Sequence, residues 1–288
     1  MAAELIDGKA LAATIRQQVA EQAAALRKQG RVPKLVAVLV GDDPSAAIYA
    51  KKQGDTCGEV KIDYERVELP GSTPQDQVIG RIDQLNADPA VSGVIVQLPL
   101  PDGVDAFSVQ SRIAAAKDVE GVSPTNFGLL AMGRDALVPC TAAAAFACLK
   151  STGVELKGKE AVVIGRSNIV GKPMQMLMMG EHATVTQCHT RTVDRDFHTR
   201  RADILVVAAG RVATVTGEHV KPGAIVIDVG INRVKVTGPD GNEKRKTVGD
   251  VDFESASQVA GKITPVPGGV GPVTVATLLQ NVVHAAGR

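Results

Sequence analysis

The segment most informative about the architecture is Ala161-Val-Val-Ile-Gly-Arg-Ser-Asn-Ile-Val-Gly-Lys-Pro173. Its first four residues are apolar and mostly β-branched, which is typical of a parallel strand covered on both faces. Gly165 permits a sharp turn, Gly171 permits close approach of backbone, and Pro173 suits the first turn of a helix. Amide groups at a helix N-terminus favour phosphate, so the stretch indicates a dinucleotide site. Taken alone, the pattern also fits an ordinary tight turn between a strand and a helix.

The rest of the chain predicts an α/β protein with parallel strands, because apolar runs alternate with amphipathic or alanine-rich segments. The predicted helices are 8–29, 45–58, 73–86 and 272–286. The predicted strands are 34–40, 64–69, 93–97, 161–164, 183–187, 203–208 and 224–228. The polar stretch 232–247 predicts two short β runs joined by a turn at 238–241.

Composition excludes several classes of protein. The 288 residues, 44% of them hydrophobic, are enough for two domains with buried cores. A net charge of +1 argues against nucleic-acid binding. The absence of a signal-like start and of a long apolar run argues against a membrane or exported protein, so we expect a cytoplasmic one. The four scattered cysteines predict reduced thiols and no metal site.

The ordered motifs of the chain resemble those of the methylenetetrahydrofolate dehydrogenase/cyclohydrolase family. Besides Gly165–Pro173, the matching segments are Val40–Asp42, Val96–Leu100, Lys117–Gly121, Pro139–Thr141, Cys188–Thr190, Asp228–Asn232, Gly249–Val251 and Pro265–Thr274. The resemblance implies a two-domain fold whose second domain is a Rossmann-like parallel sheet, with a C-terminal helix returning to the first domain. It implies a folate-binding catalytic domain at 1–139 plus 268–288 and an NADP-binding domain at 140–267.

Candidate cofactor residues follow the predicted strands of the second domain, at the carboxyl ends where ligands of doubly wound sheets bind. They are Gly165, Arg166 and Ser167, then His189, Thr190 and Arg191, then Gly210, and finally Ile231. No acidic residue in 187–192 is available to accept from the ribose 2′-hydroxyl of NAD, whereas Arg191 and Arg166 offer donors to a 2′-phosphate. The sequence therefore favours NADP, the alternative for each arginine being a solvated surface charge.

The resemblance also implies a folate site. Its predicted catalytic residues are Tyr49, Gln53 and Gln97, and its predicted substrate ligands are Tyr49, Pro99, Asp118, Glu120, Gly268, Gly269 and Thr274.

Four positions of this site depart from the family pattern. The family helix carries Ser, then Tyr three residues on, then Lys four beyond, whereas this chain has Ala46, Tyr49 and Gln53. Lys52 lies roughly 100° from the required helix face and is a poor substitute. Glu120 replaces the second aspartate of the family motif Lys-Asp-Val-Asp-Gly, and Thr141-Ala-Ala-Ala144 replaces Thr-Pro-x-Gly.

These departures affect the two family reactions unequally. Oxidation of the methylene bridge is a hydride transfer that mainly needs alignment of the reacting atoms. Hydrolysis of the methenyl group needs a residue that titrates near the working pH, and Gln53 does not titrate. We therefore predict an NADP-dependent methylenetetrahydrofolate dehydrogenase with weak or missing cyclohydrolase activity and, from the resemblance, a homodimer. The open alternatives are a standard bifunctional enzyme, a non-catalytic nucleotide-binding paralogue and an enzyme for another reduced pterin.

Overall fold

The computed structural model describes residues 2–237 and 243–288 and has the predicted α/β class. Its strands are β1 (Glu4–Leu5), β2 (Lys34–Val40), β3 (Asp63–Leu69), β4 (Gly93–Val96), β5 (Glu160–Ile164), β6 (Thr184–Cys188), β7 (Ile204–Val207), β8 (Ile225–Asp228), β9 (Asn232–Thr237), β10 (Glu243–Val248) and β11 (Lys262–Ile263). Its helices include α1 (Gly8–Lys28), α2 (Pro44–Glu59), α3 (Gln75–Ala87), α4 (Ala106–Arg112), α5 (Pro124–Ala131), α6 (Cys140–Lys150), α7 (Gly171–Gly180), α8 (Arg195–Thr199), α9 (Phe253–Ala256) and α10 (Val270–Gly287).

Every strand and helix expected from the sequence is present, with ends that differ by at most two residues. The two β runs of the polar stretch are β9 and β10, which pair antiparallel. The turn predicted at 238–241 lies outside the described residues. None of the helices in the described ranges is long and apolar enough to span a membrane.

The internal contacts divide the chain into two units. The first unit consists of Ala13–Cys140 and Val275–Arg288, and the second consists of Thr141–Thr274 with the residues up to Ala12. The end of α10 therefore groups with the first half of the chain, as predicted. These units differ from the predicted domain boundaries at the amino terminus, because β1 pairs with β11 and so belongs to the second unit. The boundaries 1–139 with 268–288, and 140–267, stay a prediction.

The first unit is built on a parallel sheet of three strands in the order β3-β2-β4. The central strand β2 is almost entirely apolar and buried, as expected for a parallel strand covered on both faces. Helix α2 begins at Pro44 because the Asp43 side chain accepts a hydrogen bond from Ala46 N at 2.8 Å and proline suits the first helical position. This start fixes the positions of Tyr49 and Gln53 along the helix.

The second unit contains a six-stranded sheet in the order β1-β11-β8-β7-β5-β6, in which all the pairs are parallel. Strand β5 lies between β6 and β7. The chain runs from β5 to β6 on one side and then returns past β5 to β7 on the other side. Such a reversal of strand order opens a crevice at the carboxyl ends of the strands. The fold therefore places the Gly165 turn at the position where a ligand binds.

Candidate active site

A cavity of about 600 Å³ in the second unit lies at the carboxyl ends of β5, β6 and β7. Five of the predicted cofactor residues line it, namely Gly165, Arg166, Ser167, His189 and Thr190. The cavity has the volume of a typical cofactor site. Three further predicted residues, Arg191, Gly210 and Ile231, are not among the described residues that line it, so their contact with the cofactor stays a prediction.

Two glycines shape this cavity by letting backbone segments approach closely. Gly165 has a φ of 118°, and a Cβ atom there would lie 2.1 Å from Ala208 O. A Cβ atom at Gly171 would lie 2.2 Å from Gly165 O. Ser167 Oγ accepts from the N–H groups of Val170 at 3.2 Å and Gly171 at 3.4 Å, so it ties the turn to the start of α7.

The lining of the cavity is basic. Arg166, Arg195 and Arg211 line it together with His189 and His219, and no Asp or Glu of the described ranges does so. Arg195 and Arg211 were missed by the sequence interpretation, because neither directly follows a strand. A basic lining beside a helix N-terminus suits the phosphates of a dinucleotide.

The first unit brings Gln53 and Gln97 into contact. Gln53 is buried on α2, and its Oε1 atom accepts from Gln97 Nε2 at 3.3 Å. Its Nε2 atom is buried and has no hydrogen-bond partner among the described residues. A buried donor left unpaired costs free energy, so this amide is suited to an acceptor on a ligand.

Tyr64, which the sequence interpretation missed, packs behind Gln53. Its hydroxyl donates to Ala50 O at 2.8 Å and lies 3.3 Å from Gln53 Oε1. A Cβ atom at Gly54 would lie 2.7 Å from the Tyr64 ring, so the ring occupies the space that a side chain at position 54 would fill. The isolated glycine inside a helix was the available signal for this contact.

Glu120 is half-buried, and its Oε2 atom is buried without a partner among the described residues. Burial, with a smaller contribution from the Asp118 carboxylate, raises the pKa of Glu120 to about 8. Tyr49 is close enough to be affected: partial burial, then the Glu120 carboxylate, then the Cys140 thiol raise its pKa. The site therefore holds a carboxyl group that titrates near neutral pH.

Asp118 is fully buried, and its carboxylate already has partners. Oδ2 accepts from Ser123 N at 2.8 Å and Asn126 Nδ2 at 3.0 Å, while Oδ1 accepts from Val122 N at 3.3 Å. These bonds fix the start of α5. The direct role in substrate binding predicted for Asp118 stays a prediction.

The C-terminal helix holds the segment that carries Glu120. Asn281 Nδ2 donates to Val119 O at 2.9 Å and to Val138 O at 3.1 Å. Cys140 N donates to Glu120 O at 3.2 Å, and Thr277 Oγ1 donates to Cys140 O at 3.0 Å. Thr277 and Asn281 are four residues apart on one face of a mostly apolar helix, which was the signal that could have found them.

The remaining predicted substrate residues are more scattered. Pro99 is exposed just beyond β4. Gly268, Gly269 and Thr274 belong to the second unit, where a Cβ atom at Gly269 would lie 2.7 Å from Pro265 O. Their contact with substrate stays a prediction. The departure at Ala142–Ala144 lies inside α6, as the high helix propensity of alanine favours.

Residues 6–120 match the catalytic domain of tetrahydrofolate dehydrogenase/cyclohydrolase, and residues 139–288 match the NAD(P)-binding domain of the same enzymes. The chain belongs to the tetrahydrofolate dehydrogenase/cyclohydrolase family.

Curated relatives and solved structures of this family match over the whole chain. The bifunctional protein FolD of Moorella thermoacetica is 49% identical over 288 residues, which are 100% of both chains. The crystal structure of bifunctional FolD, a methylenetetrahydrofolate dehydrogenase/cyclohydrolase from Campylobacter jejuni, has a TM-score of 0.92 at 42% identity and covers 99% of each chain. The Trypanosoma brucei enzyme, complexed with NADP cofactor and inhibitor, has a TM-score of 0.90 at 38% identity and covers 100% of this chain and 98% of that chain.

Each of the two matched domains contains one of the features described above: the basic cavity lies in the NAD(P)-binding match, and Glu120 lies in the catalytic-domain match. In the second unit, the residues that line the cavity fall within the NAD(P)-binding match, and they offer donors to phosphate. In the first unit, Gln53 and Glu120 are the two departures whose side chains have an unpaired buried atom. No cluster of three or more His, Cys, Asp or Glu side chains that could hold a metal ion occurs within the described ranges.

Proposed function

We propose that the protein is an NADP-dependent 5,10-methylenetetrahydrofolate dehydrogenase in which the cyclohydrolase step is weak or missing. The observation that carries this proposal is the buried, non-titrating Gln53 at the family's lysine position, in contact with Gln97. The dehydrogenase part is supported by family membership and by the basic cavity at the carboxyl ends of β5, β6 and β7.

The cavity of the second unit suits NADP by charge and by volume. Arg166, Ser167 and Thr190 would hold its phosphate groups, together with the N-terminus of α7. When bound, NADP supplies the nicotinamide carbon that accepts a hydride. The residues of this chain then need only to bind and orient the two ligands.

The oxidation is balanced without proton transfer by the protein. With NADP bound, the methylene carbon between the two folate nitrogens would give up a hydride to the nicotinamide, and a lone pair on one of these nitrogens would complete the methenyl cation. In this scheme the unpaired Gln53 Nε2 donates to an acceptor on the pterin ring, and the unpaired Glu120 Oε2 pairs with a ring N–H. Gln97 fixes the orientation of the Gln53 amide.

Hydrolysis makes a different demand on the site. Water adds to the methenyl cation and releases one proton to solvent, and the carbon–nitrogen bond then breaks as the second proton of the water passes to the departing nitrogen. An amide cannot carry that proton. Tyr49 cannot act as the base because partial burial and the Glu120 carboxylate raise its pKa above the usual value, which keeps the phenol protonated near neutral pH.

The test follows two absorbances with purified full-length protein, methylenetetrahydrofolate and NADP. We expect NADPH and the methenyl product to accumulate together, and the methenyl product to decay at or near its uncatalysed rate. Gln53→Lys should accelerate that decay, because the pKa of a desolvated ammonium falls toward neutral pH. Lys52→Gln, on the adjacent helix face, is the matched control and should change neither rate.

The outcomes separate the rival functions. Rapid methenyl decay with the unmodified protein would rule out the monofunctional proposal. NADP binding without NADPH formation would indicate the non-catalytic paralogue. A high KM for methylenetetrahydrofolate, with faster turnover of another reduced pterin, would indicate a changed substrate.

The standard bifunctional enzyme is the second candidate, and one observation favours it. The pKa of Glu120, raised to about 8 mainly by burial, gives the site a carboxyl group that can accept and return a proton near neutral pH. If the unmodified protein hydrolyses the methenyl product, Glu120→Gln should abolish that activity and leave NADPH formation measurable.

We also propose a homodimer in the cytoplasm, as the family resemblance and the sequence composition predict. Analytical ultracentrifugation of the purified protein tests the assembly, and a sedimentation coefficient of a monomer at high protein concentration would contradict it.

A further inference from the structure

The loop that follows β7, residues 208–214, forms one wall of the cavity, and a buried aspartate holds its start. All of these residues except Gly210 line the cavity. The N–H groups of Ala209 and Gly210 both donate to Asp250 Oδ2, each at 2.7 Å. Asp250 Oδ1 accepts from Asn232 Nδ2 at 2.8 Å. The Asp250 carboxylate is fully buried, and each of its oxygens already accepts a hydrogen bond from the protein. It therefore holds this loop in place, and its hydrogen bonding is satisfied without a ligand.

The same short segment holds the other end of the β7 loop through its backbone. Val215 N donates to Asp250 O at 3.3 Å, and Asp252 N donates to Val215 O at 2.7 Å. The side chain of Asp250 therefore fixes where the wall begins, and the backbone of 250–252 fixes where it ends. A substitution at Asp250 that keeps the backbone in place removes only the first of these attachments.

A second buried aspartate anchors this segment to the sheet. Asp228 is the last residue of β8, and its Oδ1 atom accepts from Gly230 N at 2.9 Å and Asp250 N at 3.0 Å. Its Oδ2 atom accepts from Val251 N at 3.0 Å. A chain of hydrogen bonds thus runs from the end of β8, through Asp228 and Asp250, to the N–H groups at the start of the cavity wall.

Two glycines make this arrangement sterically possible. A Cβ atom at Gly249 would lie 1.8 Å from Asp228 Oδ2, and one at Gly230 would lie 2.3 Å from Asp250 Cγ. Each glycine leaves room for the aspartate of the other segment. The motifs Asp228-Val-Gly230 and Gly249-Asp-Val251 therefore form one fitted unit.

We propose that Asp250 is a positioning residue for the cofactor: it holds the β7 loop in the shape that completes the NADP cavity without touching the cofactor. This inference rests on the proposed assignment of the cavity to NADP. A loop that is fixed before binding does not have to be ordered by the ligand, so fixing it raises affinity.

The test compares Asp250→Asn with Asp203→Asn. Asp203 lies just before the opposite end of β7, where its carboxylate accepts from Lys221 Nζ at 2.7 Å and Glu160 N at 3.0 Å. It has a comparable structural role away from the cavity. Asp250→Asn loses the charge from two hydrogen bonds to the loop, so we expect the Kd for NADP, measured by calorimetry, to rise about 10-fold. Asp203→Asn should lower stability and leave this Kd unchanged.

A second readout follows the loop itself without cofactor. Arg211 lies in the middle of the β7 loop, so tryptic cleavage after Arg211, identified by mass spectrometry, reports its release. Cleavage should be faster in Asp250→Asn than in the unmodified protein, unchanged in Asp203→Asn, and slowed by NADP. An unchanged Kd in Asp250→Asn, or an equal rise in Asp203→Asn, would overturn the inference.

The unmodified protein provides a measurement that does not depend on the folding of a variant. The amide protons of Ala209 and Gly210 should be protected from hydrogen exchange in the absence of NADP, because the Asp250 carboxylate accepts from both. Rapid exchange at these amides would contradict the proposal. If the unmodified protein binds no NADP, the proposed function fails, whereas the exchange and cleavage results still test the attachment of the loop.

Discussion

Replacing Glu120 with Gln tests the electrostatics of the candidate folate site, because the two side chains have nearly the same shape and differ in charge. Burial and the nearby Asp118 raise the pKa of Glu120 from 4.5 to about 8. The native protein therefore holds this proton at pH values where the unfolded chain has lost it. The free energy of unfolding of the unmodified protein should fall as pH rises through this window, and the Glu120→Gln substitution should remove that loss.

The size of the effect follows from the width of the window. A pKa raised from 4.5 to about 8 corresponds to about 5 kcal/mol if the whole shift were expressed as stability. The residue is partly exposed although its Oε2 atom is buried, and the effective dielectric at buried sites is well above that of dry protein, so the expected change is roughly 1–3 kcal/mol. The Glu120→Gln variant should thus gain stability relative to the unmodified protein between about pH 5 and about pH 9.

Urea unfolding gives the free energy of unfolding of both proteins at these two pH values. The difference between variant and unmodified protein at the lower pH is then subtracted from that at the higher pH. Glu59→Gln, at the exposed end of α2, is the control and should show parallel curves with the unmodified protein. If the stability difference for Glu120→Gln is the same at both pH values, the carboxyl group is ionised throughout the window. Glu120 would then have no proton to return to the departing nitrogen near neutral pH.

Three further predictions concern other parts of the molecule. Arg195→Ala should weaken NADP binding more than Arg191→Ala in calorimetry, because only Arg195 lines the cavity, and equal losses would contradict this assignment. Gly54→Ala should lower the free energy of unfolding by about 1–3 kcal/mol, because its Cβ atom would meet the Tyr64 ring at 2.7 Å, whereas Gly58→Ala on the same helix meets nothing within 4 Å and should not destabilise. Asp228, whose pKa burial raises to about 6, should make stability fall as pH rises from about 4 to about 6, and a stability curve of Asp228→Asn parallel to that of the unmodified protein would exclude this effect.

The fold was largely predictable because its principal strands are continuous apolar runs. β2, β5, β7 and β8 have this composition and were predicted with nearly the observed bounds. The two-residue strands β1 and β11 carry no periodicity that a sequence could reveal, and their pairing depends on residues far apart in the chain. Helix α5 did have a local signal in Ser123-Pro124, where the serine side chain accepts from Asn126 N.

The candidate site was predictable where a motif places a residue directly after a strand. Gly165, Arg166 and Ser167 line the cavity for that reason, whereas Arg195 reaches it from the start of α8. The same limit applies to Asp250, whose partners Ala209 and Gly210 lie some 40 residues earlier in the chain. Hydrogen bonds between distant segments have no counterpart in local sequence pattern.

The two departures at Gln53 and Glu120 are best understood as one electrostatic change. Tyr49 and Gln53 are four residues apart and so share a face of α2, and Tyr49 is within range of the Glu120 carboxylate. A lysine at position 53 would place a cation beside this face and favour the ionised form of the carboxyl group. With glutamine there, burial and the like charge of Asp118 act on Glu120 without a cation to oppose them, so its pKa rises. Loss of the cation and a raised pKa of Glu120 therefore accompany each other, and under the proposed function this change would weaken hydrolysis and leave hydride transfer possible.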